Sequence, residues 1–298
     1  MLVRSFWILF LSLAGGCRPL TSGSLDSTAS QSVATAQPRN YSILGSWRPQ
    51  PSHDRLWRQN QMVLPYAEID SHRVTLRNIR DCNYRSENDY DVNHFDFDVA
   101  LSDLQTLDFI VVPFRSTPSL AHTMLSFGSV NGQYIVFSVE SRLEQGETYR
   151  PIEGAINGYE LMWVVGTERD LIGLRTEIRK DDVFLYRTRA NADQVRRIFL
   201  AAVARVNEIA RQPEFYDTLR NNCTTNIVAL INQLQPDTIP DDLRIVLPGH
   251  SDKLLYDLGL LEVNSPYPMA KEISRISPLA RLHHGSAEYS KAIRSQLQ

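Results

Sequence analysis

The residues best suited to chemistry begin with Cys223. It sits in Arg220-Asn221-Asn222-Cys223-Thr224-Thr225-Asn226, ahead of a run in which Ile227, Leu230, Ile231 and Leu234 share a helical face. Asn is a strong helix N-cap because its side-chain oxygen takes an otherwise unpaired backbone N–H. With Asn222 as the cap, Cys223 takes the first helical position, where the positive end of the macrodipole favours an anion. A thiol in that setting, given a basic partner, is suited to nucleophilic catalysis. The other readings are a buried structural thiol or a disulfide with Cys82, the default for two cysteines in an oxidising compartment.

A nucleophile needs a base. Of seven histidines, His122 alone falls inside a probable core sheet, at the start of an apolar hairpin. An imidazole there is costly without a partner, and a thiolate is a good one. Ser138 and Glu140 lie on one face of the returning strand, across the Asn131-Gly132 turn. Either is positioned to accept from the second ring nitrogen, as the third member of a triad does. The plainer readings are a satisfied core histidine and a salt bridge from Glu140 to Arg142 or Arg175. His94, Asp96 and Asp98 share a strand face and have metal-binding chemistry. The wet face of a half-buried strand explains them better, and no metal or other cofactor is expected.

These groups need a scaffold, and the sequence implies a mixed one. Strand patterns occupy 63–69 and 72–80, with Val74, Leu76 and Asn78 facing one way and Asp70-Ser71 as the turn between. Asp91 to Val99 alternates, and Phe109 to Phe114 is a continuous apolar run. Residues 121–127 and 134–141 flank Asn131-Gly132, a strong hairpin signal. Residues 159–165 and 183–186 complete an antiparallel meander. Helical spacing follows over 168–178, then from an Asn191 cap to Pro213, then from Cys223, and over 251–258 with Gly259 closing. The fold class is α+β, an antiparallel sheet with packed helices.

The chain has 298 residues, 43% of them hydrophobic, and a net charge of -3. No basic stripe of the kind nucleic acid requires is present, and no nucleic-acid partner is expected. Arg4 and the apolar run from Phe6 to Ala14 have the length of a signal-peptide core, too short to span a bilayer. Gly15-Gly16-Cys17 ends it like a lipobox, so residues 1–17 are expected to direct export and lipidation of Cys17. Acyl chains there would anchor the protein to a bacterial membrane. Residues 18–40 are too polar to offset their ordering entropy and read as a tether. A folded domain over 41–265 and a C-terminal extension over 266–298 complete the expected organisation.

Several stretches resemble the Lnb N-terminal periplasmic domain family. They are Ala121 to Gly128, Ser138 to Arg142, Glu147-Thr148-Tyr149, and Pro213 to Thr225, with Arg77 to Asp81 and Tyr84-Arg85-Ser86 as an N-terminal motif. The resemblance runs from about Trp57 to Gly259. The order of His strand, polar strand and Cys-bearing helix also looks like the circularly permuted papain-like arrangement of NlpC-type and lecithin retinol acyltransferase-like proteins. The family resemblance implies a periplasmic address and candidate residues rather than a substrate. The cysteine and histidine point to a thiol acting on an amide or ester, and the address alone suggests cell-wall peptides or lipid acyl groups. Arg80, Tyr84, Arg85, Arg175 and Asn222 are its candidate substrate-binding residues. Cys82 stands where an aromatic residue would be expected. A non-catalytic envelope binding or assembly domain is the alternative.

Overall fold

The computed structural model describes residues 50–149 and 158–297. The expected signal segment with Cys17, and the tether over 18–40, lie outside the described residues. In chain order the strands are β1 (Tyr66–Ile69), β2 (Arg73–Arg80), β3 (Asn83–Tyr84), β4 (Tyr90–Asp91), β5 (His94–Ala100) and β6 (Leu104–Phe114). Next come β7 (Thr117–Ser129), β8 (Tyr134–Arg142), β9 (Tyr159–Thr167), β10 (Phe184–Arg187) and β11 (Phe215–Tyr216). The helices are α1 (Glu168–Gly173), α2 (Ala192–Arg211), α3 (Cys223–Leu234), α4 (Leu243–Val246), α5 (Ser251–Asp257), α6 (Tyr267–Ile273), α7 (Ser277–His283) and α8 (Tyr289–Ala292).

Period-two alternation from Leu104 to Thr167 produces the antiparallel run β6-β7-β8-β9, the centre of a nine-stranded sheet ordered β1-β2-β9-β8-β7-β6-β10. The β7–β8 turn uses Gly132 at φ +73°, the left-handed region that glycine enters without steric cost. Among the described residues only the β2–β9 pairing is parallel, through Arg80 and Gly166. β5 and β11 attach outside the main path.

Alternation sends the side chains into two buried layers. Phe109, Val111, Leu125, Phe127, Phe137 and Trp163 pack with Val195, Phe199, Val203 and Val206 of α2 and with Ile227 and Leu230 of α3. On the other face Ile110, Val112, Met124, Val136, Met162 and Val164 pack with Leu171 and Ile172 of α1 and with Ile276, Ala280, Tyr289 and Ile293. The fold is therefore α+β, with a mostly antiparallel sheet between helical layers. Among the described residues no helix is long and apolar enough to cross a membrane.

One strand departs from simple alternation. Asn78 adopts φ +61° and the β2–β5 register shifts between Leu76 and Ile79. This bulge takes Asn78 off the core face and returns Ile79 to it beside Val74 and Leu76.

The segment from 266 onward packs against the same sheet. Ile276 and Ile293 are fully buried. Arg294 donates to Asp108 Oδ2 at 2.7 Å and to Glu168 Oε2 at 2.9 Å, beneath β6 and β7. The Arg294 guanidinium between these buried carboxyl groups, with Arg187 on the other Asp108 oxygen, offsets much of the cost of holding them away from water.

Candidate functional site

The start of α3 follows the local chemistry. Asn222 Oδ1 accepts from the Thr224 N–H at 2.9 Å and the Thr225 N–H at 3.0 Å. Thr225 Oγ1 accepts in return from the Asn222 N–H at 2.9 Å, closing a capping box. Asn222 Nδ2 donates to Thr218 O at 2.7 Å, which fixes the loop before the helix. Cys223 is thus the first helical residue, and it is 4% exposed. Its sulfur lies 4.0 Å from Ala121 O and 3.8 Å from Thr224 Oγ1. Thr224 Oγ1 meets Thr123 Oγ1 at 3.0 Å, tying the helix tip to β7.

Cys82 and Cys223 are both free thiols, so the bridge between them does not form. Burial, with the Asp170 carboxylate nearby, pushes the Cys82 thiol up to about 12. An inert, neutral thiol is the consequence at Cys82.

The imidazole is held by β8. His122 Nε2 is 2.7 Å from Ser138 Oγ. Ser138 Oγ donates to Glu140 Oε1 at 3.1 Å, and Arg175 Nη2 donates to the same oxygen at 3.2 Å. A serine hydroxyl has one proton. If it goes to the carboxylate, Ser138 accepts from His122 Nε2–H, leaving Nδ1 with the lone pair. Burial drives the His122 pKa down to about 3, Arg175 adds to the effect, and Glu140 opposes it only in part. Burial alone would raise Glu140, but Arg175 and then Arg80 outweigh it and hold the carboxyl at about 2. The resting state at neutral pH is therefore a neutral imidazole beside an ionised carboxylate.

Strand alternation separates the two chemical groups. Ala121 and Leu125 join the layer that contains Cys223, whereas Met124 joins the opposite one. His122, two residues before Met124, shares its face, and the partner of its ring is Ser138 rather than the sulfur. The two faces communicate because β7 and β8 part company: their pairing ends at Met124–Ser138, two residues short of His122 and Glu140. A cleft of about 200 Å³ opens there. Ala121, His122, Glu140, Arg175, Asn222 and Cys223 all line it, so it reaches the helix tip from one layer and the imidazole chain from the other.

The remaining anticipated residues divide. Arg175 reaches the cleft from the π-helical turn 174–178 that follows α1; its Nη1 donates to Leu171 O at 2.7 Å. Such turns often accompany functional positions. Arg80 is buried in a two-pronged pair with Asp170, at 2.8 and 2.9 Å, and supports the network from behind. Tyr84 hydroxyl sits 3.4 Å from the same carboxylate. Arg85 lies on the exposed β3–β4 hairpin with Asp89 and Asp91, outside the cleft lining. Asp96 and Asp98 pair with Arg77 and Arg73. Among the described residues no three His, Cys, Asp or Glu side chains group as a metal site.

No individual role was assigned from sequence to the other cleft residues, although Tyr149 and Tyr216 lie in stretches that resemble the family. Tyr149 and Tyr216 form an edge-on aromatic wall, with centroids 6.2 Å apart. Arg179, Asp181, Val246 and Pro248 also line the cleft. The signal for the tyrosines in sequence is their place in those stretches. Arg179 and Asp181 carry none, because the turn at 174–178 decides where they point.

Residues 91–249, more than half of the chain, match the family model of the Lnb N-terminal periplasmic domain. The match begins at β4 and ends just before α5, so it contains His122, Ser138, Glu140, Arg175, Asn222 and Cys223. No curated protein and no solved structure matches the chain.

Proposed function

Because the chain belongs to the Lnb N-terminal periplasmic domain family, we propose that it works in the envelope as a Cys223-dependent acyl hydrolase or transferase acting on an amide or ester. One observation carries the reading: the capped cysteine lines the same cleft as His122, Glu140 and Arg175, whose chain the buried Ser138 completes. His122 Nδ1 takes the thiol proton. The thiolate attacks the carbonyl, and the leaving amine or alcohol departs with a proton returned by His122. Water or a second nucleophile then cleaves the thioester and restores the thiol. Asn222 Oδ1 takes the N–H groups of Thr224 and Thr225, leaving that of Cys223 for the oxyanion. Substrate binding between β7 and β8 draws the ring and the sulfur together, since catalytic contacts often tighten only in the complex.

Incubation with an acyl nitrophenyl ester, followed by peptide mass spectrometry, tests this. A thioester on Cys223 that disappears in Cys223→Ala supports the proposal; an unmodified Cys223 rejects it. A lipid anchor on Cys17 belongs to the same reading and is tested by metabolic labelling with a fatty acid, with Cys17→Ala as the control. Cell-wall peptides or lipid acyl groups are the substrates this address suggests.

The second reading is a non-catalytic binding or assembly domain. It is favoured by the near-complete burial of Cys223 and by an imidazole already engaged with Ser138. It predicts that Cys223→Ala leaves the cellular role intact.

A further inference from the structure

Beside the thiol cleft lies a larger one of about 650 Å³, walled by Arg115, Lys180, Asp182, Lys271, Arg275 and Arg281. The two share a partition. Phe114 lines both, and the segment 179–182 alternates between them: Arg179 and Asp181 face the thiol cleft, Lys180 and Asp182 the other. Pro248 and Gly249 divide in the same way.

The cations of the larger cleft are only partly matched. Arg275 meets Asp182 at 2.8 Å, Lys271 meets the buried Asp252 at 3.1 Å, and Arg115 approaches Asp181 at 3.6 Å. Arg115 also donates to the Lys180 carbonyl. Among the described residues the side chains of Lys180 and Arg281 have no hydrogen-bond or ion-pair partner, and both residues are exposed. Lys180 is also held at φ +58°, a conformation sparsely populated by residues with side chains. Such strain gathers at ligand-holding segments. A surplus of cations in a concavity, on a chain of net charge -3, focuses a local field that draws anions.

We propose that this cleft binds a phosphate-bearing ligand. Lysine and arginine donors converging from several elements suit a group that offers acceptor oxygens in several directions. The volume falls within the range of small-molecule sites, leaving room for the organic part of a phosphoester as well as the phosphate. A lipid headgroup and a soluble phosphoester share this chemistry. The site does not depend on the reactivity of Cys223.

The test uses the full chain, titrated with glycerol 3-phosphate by calorimetry and with vesicles of phosphatidylglycerol or phosphatidylcholine by co-sedimentation. The cleft variant is Lys180→Gln/Arg281→Gln. The control for net charge is Arg211→Gln/Lys291→Gln, at exposed positions outside the cleft. Losing two charge-assisted contacts weakens binding at least about tenfold in the cleft variant. The control binds like the wild type. Glycerol phosphate binding with that pattern identifies a soluble ester. Binding to phosphatidylglycerol vesicles alone, with the same pattern, identifies a headgroup. No binding of either probe, or equal weakening in both double variants, overturns the proposal.

Discussion

Replacing His122 by asparagine removes a titrating group while keeping a donor for Ser138, so it isolates the effect of burying a neutral imidazole. In the folded protein burial and Arg175 hold this group at about 3, against an ordinary value of 6.5. As the pH falls below about 6.5, the unfolded chain binds a proton that the folded chain refuses. Stability therefore declines with acid, and the loss ends only near the folded value. Between pH 7.5 and pH 5 the deficit is about 1.5 pH units at 1.36 kcal/mol each, or about 2 kcal/mol. Glu140 contributes little in this window, because its own loss falls between its ordinary value of 4.5 and the folded value of about 2. His53 and His94 are also lowered, chiefly by burial, but they are present in both proteins and cancel in the comparison. Urea unfolding at a series of pH values measures the effect. The wild type should lose about 2 kcal/mol more than His122→Asn between those pH values. Parallel pH dependences would refute the buried, neutral state assigned to His122.

Three further outcomes follow from the packing. Asn222→Ala removes the acceptor for two backbone N–H groups of α3 and should cost about 1–2 kcal/mol in urea unfolding. Arg294→Met leaves the buried Glu168 without its cation while Asp108 keeps Arg187, and a loss of about 3–5 kcal/mol should appear in the same assay. Gly249→Ala would bring a Cβ to 1.9 Å from Pro118 O, a backbone atom that cannot swing aside. Its thermal melt should report about 1–3 kcal/mol of destabilisation.

What the sequence conveyed depended on how local the cause was. The Asn131-Gly132 turn, the Asn191 cap on α2 and the Asn222 cap on α3 are set within a few residues, and the structure carries all three. The shared face of His122, Ser138 and Glu140 followed from alternation across one hairpin, and their hydrogen-bonded chain agrees with it. The same alternation sends Cys223 and His122 to different faces, which becomes visible only once the layer receiving α3 is known. The parallel β2–β9 contact joins residues far apart in the chain, and no local pattern encodes it. Residues 266–297 form short helices whose apolar positions give little periodicity, so their packing against the sheet was illegible. The positive φ at Asn78 came with a residue tolerant of that conformation, but the alternating pattern around it concealed the bulge.

The central claim is that the sulfur at the tip of α3 and the imidazole of β7 act as one site across the gap between β7 and β8. Alkylation rates of Cys223 by iodoacetamide, followed by peptide mass spectrometry from pH 6 to pH 9, address it in wild type and His122→Asn, with a free thiol peptide in the same solution as the reference. A base that assists the thiol should make Cys223 react more slowly in the variant, by about tenfold or more at neutral pH, while the reference peptide is unchanged. Superimposable rate profiles for Cys223 in the two proteins would contradict it.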